Sequence, residues 1–449
     1  MKKTWLNRVF PIATIFSFRM LGLFMLIPVF TIYAPLLNDA NAMLIGVALG
    51  SYGLSQGLLQ IPFGMLSDRF GRKPIITMGL VLFALGSLLG AYTDSIYGII
   101  IARIIQGTGA IGSVLITLLA DLTPDDERTK AMAVIGITIG LSFSLAMVIS
   151  PAITHHFGLS GIFCLTTLMA VIGLIMLYTV IPTPKKEPFH LDSTVKLARL
   201  KPVLTNHHLQ RLNIGIFCQH LILTSTFFSI PLLLQKQIKL GHLTHQWHFY
   251  LPLMVGAFVM MLPFIIFAEK KRHIKSVFVS AVVLTGISQF VLAFYCENWY
   301  AICVLMFLYF LAFNFLEANL PSLISRQSPI ETKGTAMGVY SSSQFLGIFV
   351  GGLMAGILYQ TMGNESIFIT NSVIALIWFF VALFMQPDVY QLTLLIPYTG
   401  VDKNKQQVID RLRQLSGVNE AVISPDENMI YLRVDKLTYQ RGTAEDVLM

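Results

Sequence analysis

Twelve apolar runs, each long enough to cross a lipid bilayer, divide this chain of 449 residues. A membrane-spanning helix needs about 20 predominantly apolar residues, because backbone amides inside the hydrocarbon layer must find their partners within the helix. Charged residues make up only 12% of the sequence, about half the share of a soluble domain. The sequence therefore predicts an all-α membrane protein, with spans 1 to 12 near residues 9–33, 43–66, 74–93, 97–120, 131–154, 160–181, 211–234, 247–268, 275–295, 299–324, 333–358 and 366–386.

Lysine and arginine residues are distributed unevenly between the two sides that these spans define. If the N-terminus lies inside, the inside segments hold 20 of these residues, whereas the outside loops hold 2, Lys236 and Lys239. Cytoplasmic loops of membrane proteins carry such an excess of positive charge. We therefore expect both ends of the chain in the cytoplasm, and we assign the net charge of +8 to membrane orientation rather than to nucleic-acid binding. The first span lacks a small-residue cleavage site, which predicts that it is retained.

The two halves of the sequence share a short motif at equivalent positions. Glu-Arg-Thr-Lys-Ala-Met begins at Glu127 before span 5, and Glu-Thr-Lys-Gly-Thr-Ala-Met begins at Glu331, 204 residues later, before span 11. A need for basic inside loops is an alternative explanation, but the common Thr-Lys and Ala-Met spacing favours a parallel repeat. We therefore expect a six-span half over 1–181, a cytoplasmic linker over 182–210 and a second six-span half over 211–387.

A change in composition marks a separate module after span 12. Residues 389–396, 418–424 and 429–434 have the pattern of strands, and 403–415 has the pattern of a short amphipathic helix. A strand–helix–strand–strand order in about 60 residues is typical of a small α+β fold of ferredoxin-like type. We expect a cytoplasmic module over 388–449 that binds an unknown ligand or contacts the transmembrane core.

No residue pattern predicts a disulfide, a metal site or a bound cofactor. The four cysteines, Cys164, Cys218, Cys296 and Cys303, lie in or beside apolar runs and have no Cys-x-x-Cys spacing. We therefore interpret them as small buried hydrophobic residues. The C-terminal module contains no cysteine and no metal-ligand spacing, so we do not expect it to carry a metal.

Four ionisable residues lie inside predicted spans, where charged groups are costly and mark functional sites. They are Arg19, Arg103, His220 and Glu317. With a rise of about 1.5 Å per residue, Glu317 lies roughly 12–14 Å from the cytoplasmic face, His220 about 13 Å and Arg19 roughly 15 Å. These three residues therefore share one layer near the middle of the bilayer.

This layer predicts a proton-coupling site. A transporter that exchanges a proton for a solute needs a group whose charge can change as its surroundings alternate, and Glu317 is the first candidate. His220 is a second proton carrier or a modulator of Glu317. Three alternatives stay open: a static ion pair between Glu317 and Arg19, a neutral His220 that only bonds to backbone, and an Arg19 that binds an anionic group of the substrate.

Span 4 contains a second polar group in the sequence Arg103-Ile-Ile-Gln106-Gly107. Arg103 lies about 9 Å from the outer face, near enough for its side chain to reach the interface. The adjacent Gln106 and Gly107 favour instead a buried polar contact at a close helix crossing. The glycines of span 11 and Gly136 and Gly140 of span 5 have two explanations as well, ordinary close packing or surfaces that slide when the bundle moves.

The ten residues between spans 2 and 3, Gly64 to Lys73, have the sequence Gly-Met-Leu-Ser-Asp-Arg-Phe-Gly-Arg-Lys. This hairpin resembles the signature loop of the major facilitator superfamily, and the Arg103 to Gly109 run and the twelve-span layout are similar to its drug:proton antiporters. The resemblance covers both six-span halves. Phe18 to Gly22, Gln219-His220 and Asn314 to Glu317, together with the C-terminal module, resemble the YajR-type bacterial transporters of this family.

The resemblance implies a twelve-span major-facilitator fold and a role for the hairpin. In this family the hairpin acts as a latch that closes the cytoplasmic side of the outward-open state and is released when a proton enters. Asp68 would then face the start of span 11 near Gly334, and Arg69 would pair with Asp121. The implied latch comprises Gly64, Asp68, Arg69, Gly71, Arg72, Lys73 and Asp121. The counterpart in the second half, at 269–272, is degenerate, so one latch would dominate.

The resemblance and the central layer together predict a proton-coupled secondary transporter in a bacterial inner membrane that exports amphipathic small molecules by alternating access. The proton gradient would supply its energy, and we expect no cofactor, no catalytic residue and no enzyme activity. Span 5 has Ser150-Pro151 where the antiporters usually have Gly-Pro, and this departure keeps a nutrient importer as an alternative. A membrane-anchored sensor that uses the C-terminal module is a third hypothesis.

Overall fold

The computed structural model describes residues 6–123, 128–183, 200–270, 272–385, 391–398, 405–424, 429–435, 438–440 and 442–448. Ten helical stretches in these ranges are long and apolar enough to cross a membrane, judged by length and composition. One of them, Val134–Thr179, covers two predicted spans, and the first predicted span corresponds to the shorter apolar helix Val9–Phe24. The predicted spans therefore all coincide with apolar helices.

Helices α1 to α7 form the first half of the chain. Helix α7 continues through two spans and is broken at Gly158, which has a φ of 62°. The loops at the predicted outer face meet, because Asn38 and Ser95 form a β-bridge. The bounds are α1 Leu6–Phe24, α2 Phe30–Tyr33, α3 Ala42–Phe70, α4 Arg72–Tyr92, α5 Ile96–Thr108, α6 Gly112–Leu122 and α7 Arg128–Thr179.

Helices α8 to α14 form the second half, and residues 184–199 of the predicted linker lie outside the described residues. At the predicted outer face, Lys236 Nζ lies 2.5 Å from Glu297 Oε1, which joins the loops after α9 and α11. Both loops are therefore on one side, as the predicted topology requires. The bounds are α8 Leu200–Thr205, α9 His207–Lys239, α10 Trp247–Lys270, α11 Ile274–Tyr295, α12 Trp299–Gln327, α13 Lys333–Met362 and α14 Asn364–Leu383.

The first span is not one continuous helix. Helix α1 ends at Phe24 and α2 begins at Phe30, because Pro28 between them has no N–H to continue the helical hydrogen bonds. The Ser150 hydroxyl of α7 donates to the Met25 carbonyl at this break, where an unpaired backbone group in an apolar layer would be costly. Ser150, the residue that departs from the antiporter pattern, thus fastens span 5 to span 1.

Span 4 is also interrupted, although the sequence predicted one helix over 97–120. Gly109 ends α5, and Ile111 precedes α6. A Cβ atom on Gly109 would collide with the Gly79 carbonyl oxygen of α4, and one on Gly79 would collide with the Ile111 side chain. The interruption therefore lets spans 3 and 4 approach to backbone contact, which is a packing feature that one span's sequence does not reveal.

The two halves meet most extensively where α3 packs against α13. Gly46 faces the Gly352 carbonyl and Gly356, and a Cβ atom on Gly46 would lie 2.9 Å from the Gly356 Cα. At the same end, the Met43 N–H donates to Gln360 Oε1 at 3.2 Å. The predicted outer ends of the two halves are therefore in direct contact.

The glycines of spans 5 and 11 differ in their surroundings. Gly347 and Gly351 of α13 lie against the backbone of α9, where a Cβ atom would collide. A Cβ atom on Gly136 or Gly140 of α7 would meet no atom of the described residues within 4 Å. The close-packing explanation therefore holds for these glycines of span 11 and is wrong for the two glycines of span 5.

The C-terminal module has the predicted ferredoxin-like order of elements. Its three antiparallel strands follow the order β1-β3-β2, and Ile396, Leu412, Ile430 and Leu432 contribute to its apolar core. Residues 389–390 and 403–404, where the sequence begins β1 and α15, lie outside the described residues. The bounds are β1 Gln391–Pro397, α15 Lys405–Arg413, β2 Val418–Ser424, β3 Met429–Asp435 and α16 Thr443–Leu448.

The module touches the transmembrane part through β2. Glu420 Oε1 accepts a hydrogen bond at 3.3 Å from the N–H of Ile330. Ile330 begins the short 3₁₀ turn Ile330–Thr332 that precedes α13. The other carboxylate oxygen, Oε2, lies 3.2 Å from Arg433 Nη1. Burial lowers the pKa of Arg433, and the adjacent Glu420 carboxylate opposes that change. The module thus contacts the segment that leads into span 11. The boundaries between the two halves, the linker and the module stay predictions.

Candidate functional site

Three polar side chains surround the Glu317 carboxylate of α12, and we call these four residues the Glu317 cluster. Gln219 and His220 come from α9, and Gln344 comes from α13. Gln219 Nε2 donates to Glu317 Oε2 at 2.9 Å, and Gln344 Nε2 lies 3.4 Å from Oε1. His220 Nε2 lies 3.8 Å from Oε2. The structure therefore brings together the predicted residues His220 and Glu317.

Gln344 links His220 to Glu317. Its Nε2 lies 2.8 Å from His220 Nε2 as well as 3.4 Å from the carboxylate. Since an amide N–H donates, this assignment makes His220 Nε2 the acceptor, in the neutral tautomer with the proton on Nδ1. The sequence analysis missed Gln344 because an uncharged amide does not stand out as an ionisable residue does. The available signal was the polar run Ser-Ser-Ser-Gln that ends at this residue.

The Glu317 side chain is 29% exposed, whereas that of His220 is 5% exposed. A carboxylate near the middle of a span would be very costly in lipid, so its exposed part faces the interior of the bundle. Glu317 is thus a partly exposed carboxylate that two amide donors hold in place. This arrangement can accept and release a proton, and it can attract a positively charged group.

Arg19 lies apart from the Glu317 cluster. Its Nη2 donates to Gln56 Oε1 of α3 at 2.9 Å, and the residue is 2% exposed. Among the described residues, no carboxylate lies within 4.0 Å of it, so a static ion pair with Glu317 is not present. Its Nε and Nη1 atoms also have no hydrogen-bond partner in the described part of the chain. The predicted layer therefore contains two separate polar sites, one in each half.

Arg103 is 1% exposed and so does not extend to the membrane interface. Its Nη1 donates to Gln106 Oε1 at 3.1 Å, and Gln106 Nε2 donates to Ser87 Oγ at 2.8 Å. The guanidinium carbon lies 4.7 Å from the centre of the Tyr52 ring. A Cβ atom on Gly107 would collide with the Tyr52 carbonyl. Of the two explanations for this span 4 group, the geometry favours a buried polar contact at a close helix crossing.

An aromatic group lies between the two halves. The Phe143 ring of α7 is centred 5.1 Å from Phe24 of α1. It also lies 6.2 Å from each of three rings of the second half, Phe227, Phe310 and Phe313. The sequence analysis did not identify Phe143, because one phenylalanine in an apolar span carries no distinguishing signal. Phe143 thus forms an apolar contact that joins the halves beside the polar sites.

The hairpin between α3 and α4 turns at a single residue. Helix α3 continues to Phe70 and α4 begins at Arg72, while Gly71 between them has a φ of 93°. This backbone conformation favours glycine. Gly64, the other glycine of the hairpin, lies inside α3 and takes no part in the turn. Arg272, in the degenerate counterpart, also has a positive φ of 59°, which supports the repeat.

Arg72 is the centre of the charged network at this hairpin. Its Nε donates to Asp121 Oδ2 at 3.1 Å, its Nη1 donates to Ser67 Oγ at 2.7 Å, and it pairs with Asp68. In this conformation Asp121 pairs with Arg72 in place of the predicted Arg69, whose guanidinium lies 5.3 Å from the centre of the Phe70 ring. Since α3 extends through the predicted loop, Arg69 is exposed, and the first residue of α4 reaches Asp121 instead.

Lys73 fastens the same hairpin to the end of span 6. Its Nζ donates to the Ile181 carbonyl at 2.6 Å and lies 5.6 Å from the centre of the Tyr178 ring. The residue is 9% exposed. Of the predicted latch cations, Arg72 and Lys73 therefore bind within the first half in this conformation.

Comparison with known proteins supports an assignment for the whole transmembrane part. The sequence matches the model of the Major Facilitator Superfamily over residues 12–273 and 212–404. Inner membrane transport protein YajR of Escherichia coli (strain K12) is 40% identical over 438 residues, which cover 97% of this chain and 96% of that protein. The chain belongs to the Major Facilitator Superfamily. Because that family and this relative are transporters, the chain is a major facilitator transporter.

More distant members of the superfamily are similar as well. Quinolone resistance protein NorA of Staphylococcus aureus (strain COL) is 24% identical over 353 residues, which cover 76% of this chain and 87% of that protein. The crystal structure of the human organic anion transporter MFSD10 has a TM-score of 0.63 at 18% identity, covering 85% of this chain and 100% of the other. The xylose transporter XylE of E. coli, in a partially occluded inward open conformation, has a TM-score of 0.65 at 14% identity, covering 85% and 96%. Both structures show that the fold is that of the superfamily.

Major facilitator transporters act on small molecules and need no cofactor. The part of the chain that the structure describes contains no group of three or more His, Cys, Asp or Glu residues that could hold a metal ion. Together with the inner membrane relative, the apolar stretches identify a multi-pass membrane protein. The cytoplasmic placement of both ends stays a prediction.

Proposed function

We propose that this transporter exports amphipathic small molecules from a bacterial cytoplasm in exchange for protons, with Glu317 as the proton-binding group. The observation that carries the proposal is the Glu317 cluster. Its carboxylate lies near the middle of a span, is 29% exposed and has amide donors at 2.9 and 3.4 Å. No lysine or arginine of the described residues lies within 4.0 Å of it. A carboxylate without a fixed cation is free to exchange its proton.

Protonation of Glu317 changes contacts that join three helices. As a carboxylate it accepts from Gln219 of α9 and is approached by Gln344 of α13. A proton converts one carboxylate oxygen into an O–H donor and removes the negative charge, so the amide N–H groups bind the neutral carboxyl group less strongly than the carboxylate. Because α13 also carries the glycine contacts to α3, a displacement of Gln344 alters the interface between the halves. Proton binding is thereby coupled to alternation between inward- and outward-facing states.

His220 acts as a partner of this exchange. Its Nε2 atom lies 3.8 Å from Glu317 Oε2 and 2.8 Å from Gln344 Nε2. A neutral imidazole at this position accepts a hydrogen bond and offers a second site for a proton. Loss of His220 is therefore expected to slow proton exchange without removing the primary proton-binding group.

The substrate meets an apolar wall and the same carboxylate. The rings of Phe143, Phe227, Phe310 and Phe313 are adjacent at the contact between the halves, and such aromatic surfaces suit amphipathic solutes. A solute with a positive charge would compete with the proton for Glu317. The name of the NorA relative, a quinolone resistance protein, supports export rather than import.

The hairpin stabilises the state in which the cytoplasmic ends are closed. Arg72 is held by Asp121 and Asp68 within the first half, so the hairpin moves together with that half. In the closed state Asp68 would face the start of α13, where the helix dipole favours a negative charge. The contact of Glu420 with the turn before α13 supports a regulatory role for the C-terminal module at the same cytoplasmic end.

A proton-flux experiment tests the proposal. In proteoliposomes with an imposed proton gradient, an exported substrate should dissipate the gradient in the wild-type protein. Glu317→Gln should abolish this response, because an amide cannot bind and release the proton. The matched control is Glu297→Gln, which removes a carboxylate that is 72% exposed and pairs with Lys236. This control should transport as the wild type does.

The outcome separates the competing explanations. Substrate-driven proton flux that persists in Glu317→Gln would refute the role of Glu317. A substrate that accumulates on the side to which protons flow would indicate import together with protons instead of exchange. Loss of flux in the Glu297→Gln control as well would show that the loss in Glu317→Gln is not specific to the proposed proton-binding group. That outcome would contradict the proposal.

A further inference from the structure

Four histidines lie together at the predicted outer end of the bundle, and we call them the outer histidine cluster. His155 and His156 lie in α7 at the end of span 5, whereas His245 precedes α10 and His248 lies in its first turn. The ring centres of His155 and His245 are 6.4 Å apart. Those of His155 and His156 are 5.0 Å apart, and those of His245 and His248 are 5.6 Å apart. All four side chains are exposed, and the cluster bridges the two halves.

Imidazole nitrogen is a preferred ligand of Zn²⁺, Cu²⁺ and Ni²⁺. Two imidazoles that bind one Zn²⁺ ion through bonds of about 2.0–2.1 Å, at a near-tetrahedral angle, have ring centres about 5 Å apart. The pairs within each half already have this spacing. His155 and His245 would need to approach by about 1 Å, a change that rotation of exposed side chains supplies.

Two histidines, one from each half, form the core of this arrangement. The described residues contain no ready group of three metal ligands, so water or a further histidine would complete the coordination. Thr244 Oγ1 lies 2.8 Å from His248 Nδ1, and this contact leaves Nε2 as the available ligand atom. His242, by contrast, lies 2.7 Å from Gln237 Oε1 through its Nδ1 atom and is outside the cluster.

We propose that His155 and His245 bind a divalent transition-metal ion between the two halves, and that this ion holds the outer end of the transporter closed. Contacts such as that of Met43 with Gln360 already join the outer ends. A ligand that binds one conformation more tightly shifts the population toward it. The metal site rests on the histidine geometry alone, whereas its effect on turnover rests on the proposed function.

Zn²⁺ binding to the purified full chain, without a histidine tag, tests the site. We expect Zn²⁺ to bind in isothermal titration and to raise the unfolding temperature, and we expect Mg²⁺, which prefers oxygen ligands, to do neither. His155→Ala and His245→Ala should each weaken Zn²⁺ binding by about tenfold or more, since even loss of a residue that only orients a ligand costs about 10–100-fold. His207→Ala, at an exposed histidine that begins α9, is the matched control and should bind as the wild type does. Unchanged Zn²⁺ affinity in His155→Ala and His245→Ala would overturn the site.

Transport measured with Zn²⁺ on the outer side tests the closing role. Zn²⁺ should slow wild-type transport and should have much less effect on His155→Ala. If Zn²⁺ binds through His155 and His245 but does not slow transport, the closing role is wrong. If the chain shows no proton-coupled transport at all, the proposed function fails, and the titration still decides the metal site.

Discussion

Gly46 lies where the predicted outer ends of the two halves come closest, and an alanine there should open that end. A Cβ atom at this position would lie 2.9 Å from the Gly356 Cα and would also collide with the Gly352 carbonyl oxygen. Both neighbours are backbone atoms of α13, which cannot rotate away as a side chain could. Helices α3 and α13 must therefore separate to accommodate the methyl group.

The size of the effect follows from these contacts. The closest contact is the one between the added Cβ atom and the Gly352 carbonyl oxygen, at 2.2 Å. Since a carbon–oxygen contact prefers about 3.3–3.6 Å, the helices must move apart by roughly 1.1–1.4 Å there. Adding a methyl group to a closely packed contact costs about 1–3 kcal/mol. If this cost falls only on the conformation with closed outer ends, its population relative to the open one decreases by roughly 5–150-fold.

Pulsed electron paramagnetic resonance, which measures the distance between two spin labels, checks this prediction. Labels on Tyr92→Cys and Tyr300→Cys, whose parent side chains are 80% and 78% exposed, report on the outer ends of the two halves. The four native cysteines are free in the structure and must first be replaced, so that only the introduced positions are labelled. Gly46→Ala should increase the share of long distances at the expense of short ones.

Gly136→Ala provides the matched control. A Cβ atom on Gly136 would have no neighbour within 4 Å in the part of the chain that the structure describes, so the added methyl group is accommodated there without helix movement. Its distance distribution should equal that of the parent protein. If Gly46→Ala gives the same distribution as this control, the close approach of α3 and α13 does not determine whether the outer end is closed.

Three further substitutions test local features, each read as the free energy of unfolding in detergent. Asp121→Asn should destabilise the protein because Arg72 loses a charged partner, and unchanged stability would contradict the importance of this pair. Ser150→Ala should cost about 1–3 kcal/mol because the Met25 carbonyl loses its donor, whereas Ser150→Thr, which keeps the hydroxyl, should cost less. Gly71→Ala should cost about 1–3 kcal/mol because a φ of 93° with a ψ of 156° is a backbone conformation that essentially only glycine adopts, and wild-type stability would refute the strain.

The spans and the module could be predicted from sequence because their causes are local. In a bilayer every backbone amide needs an internal partner, so a long apolar run has few alternatives to a helix. The interruption of span 1 has a local signal in Pro28, whereas the bond that satisfies it and the interruption of span 4 could not be predicted, since both depend on a neighbouring span. The Met25 carbonyl is bonded by Ser150 of span 5, and Gly109 faces the carbonyl of Gly79 in span 3.

The partner of Asp121 shows how one boundary decides a site. The sequence identified the hairpin cations and the carboxylate but paired Asp121 with Arg69. In the structure α3 extends to Phe70, and the turn is confined to Gly71. That extension turns Arg69 outward and places Arg72 in the first turn of α4, next to Asp121. Helix ends are the least determined part of a sequence pattern, so the residue types were predictable and their pairing was not.

The separation of the buried charges has a consequence for proton exchange. Arg19 bonds to Gln56 in the first half, whereas Glu317 bonds to amides in the second, without an ion pair between them in the described residues. A fixed cation beside a carboxylate favours its charged form and would oppose protonation in every conformation. Amide donors stabilise the carboxylate less strongly than an ion pair does, so a proton or a cationic solute can displace them. Gln219 and Gln344 are therefore expected to adjust how readily Glu317 binds its proton. Gln344→Lys, which places a cation there, should block proton exchange while leaving the carboxylate intact.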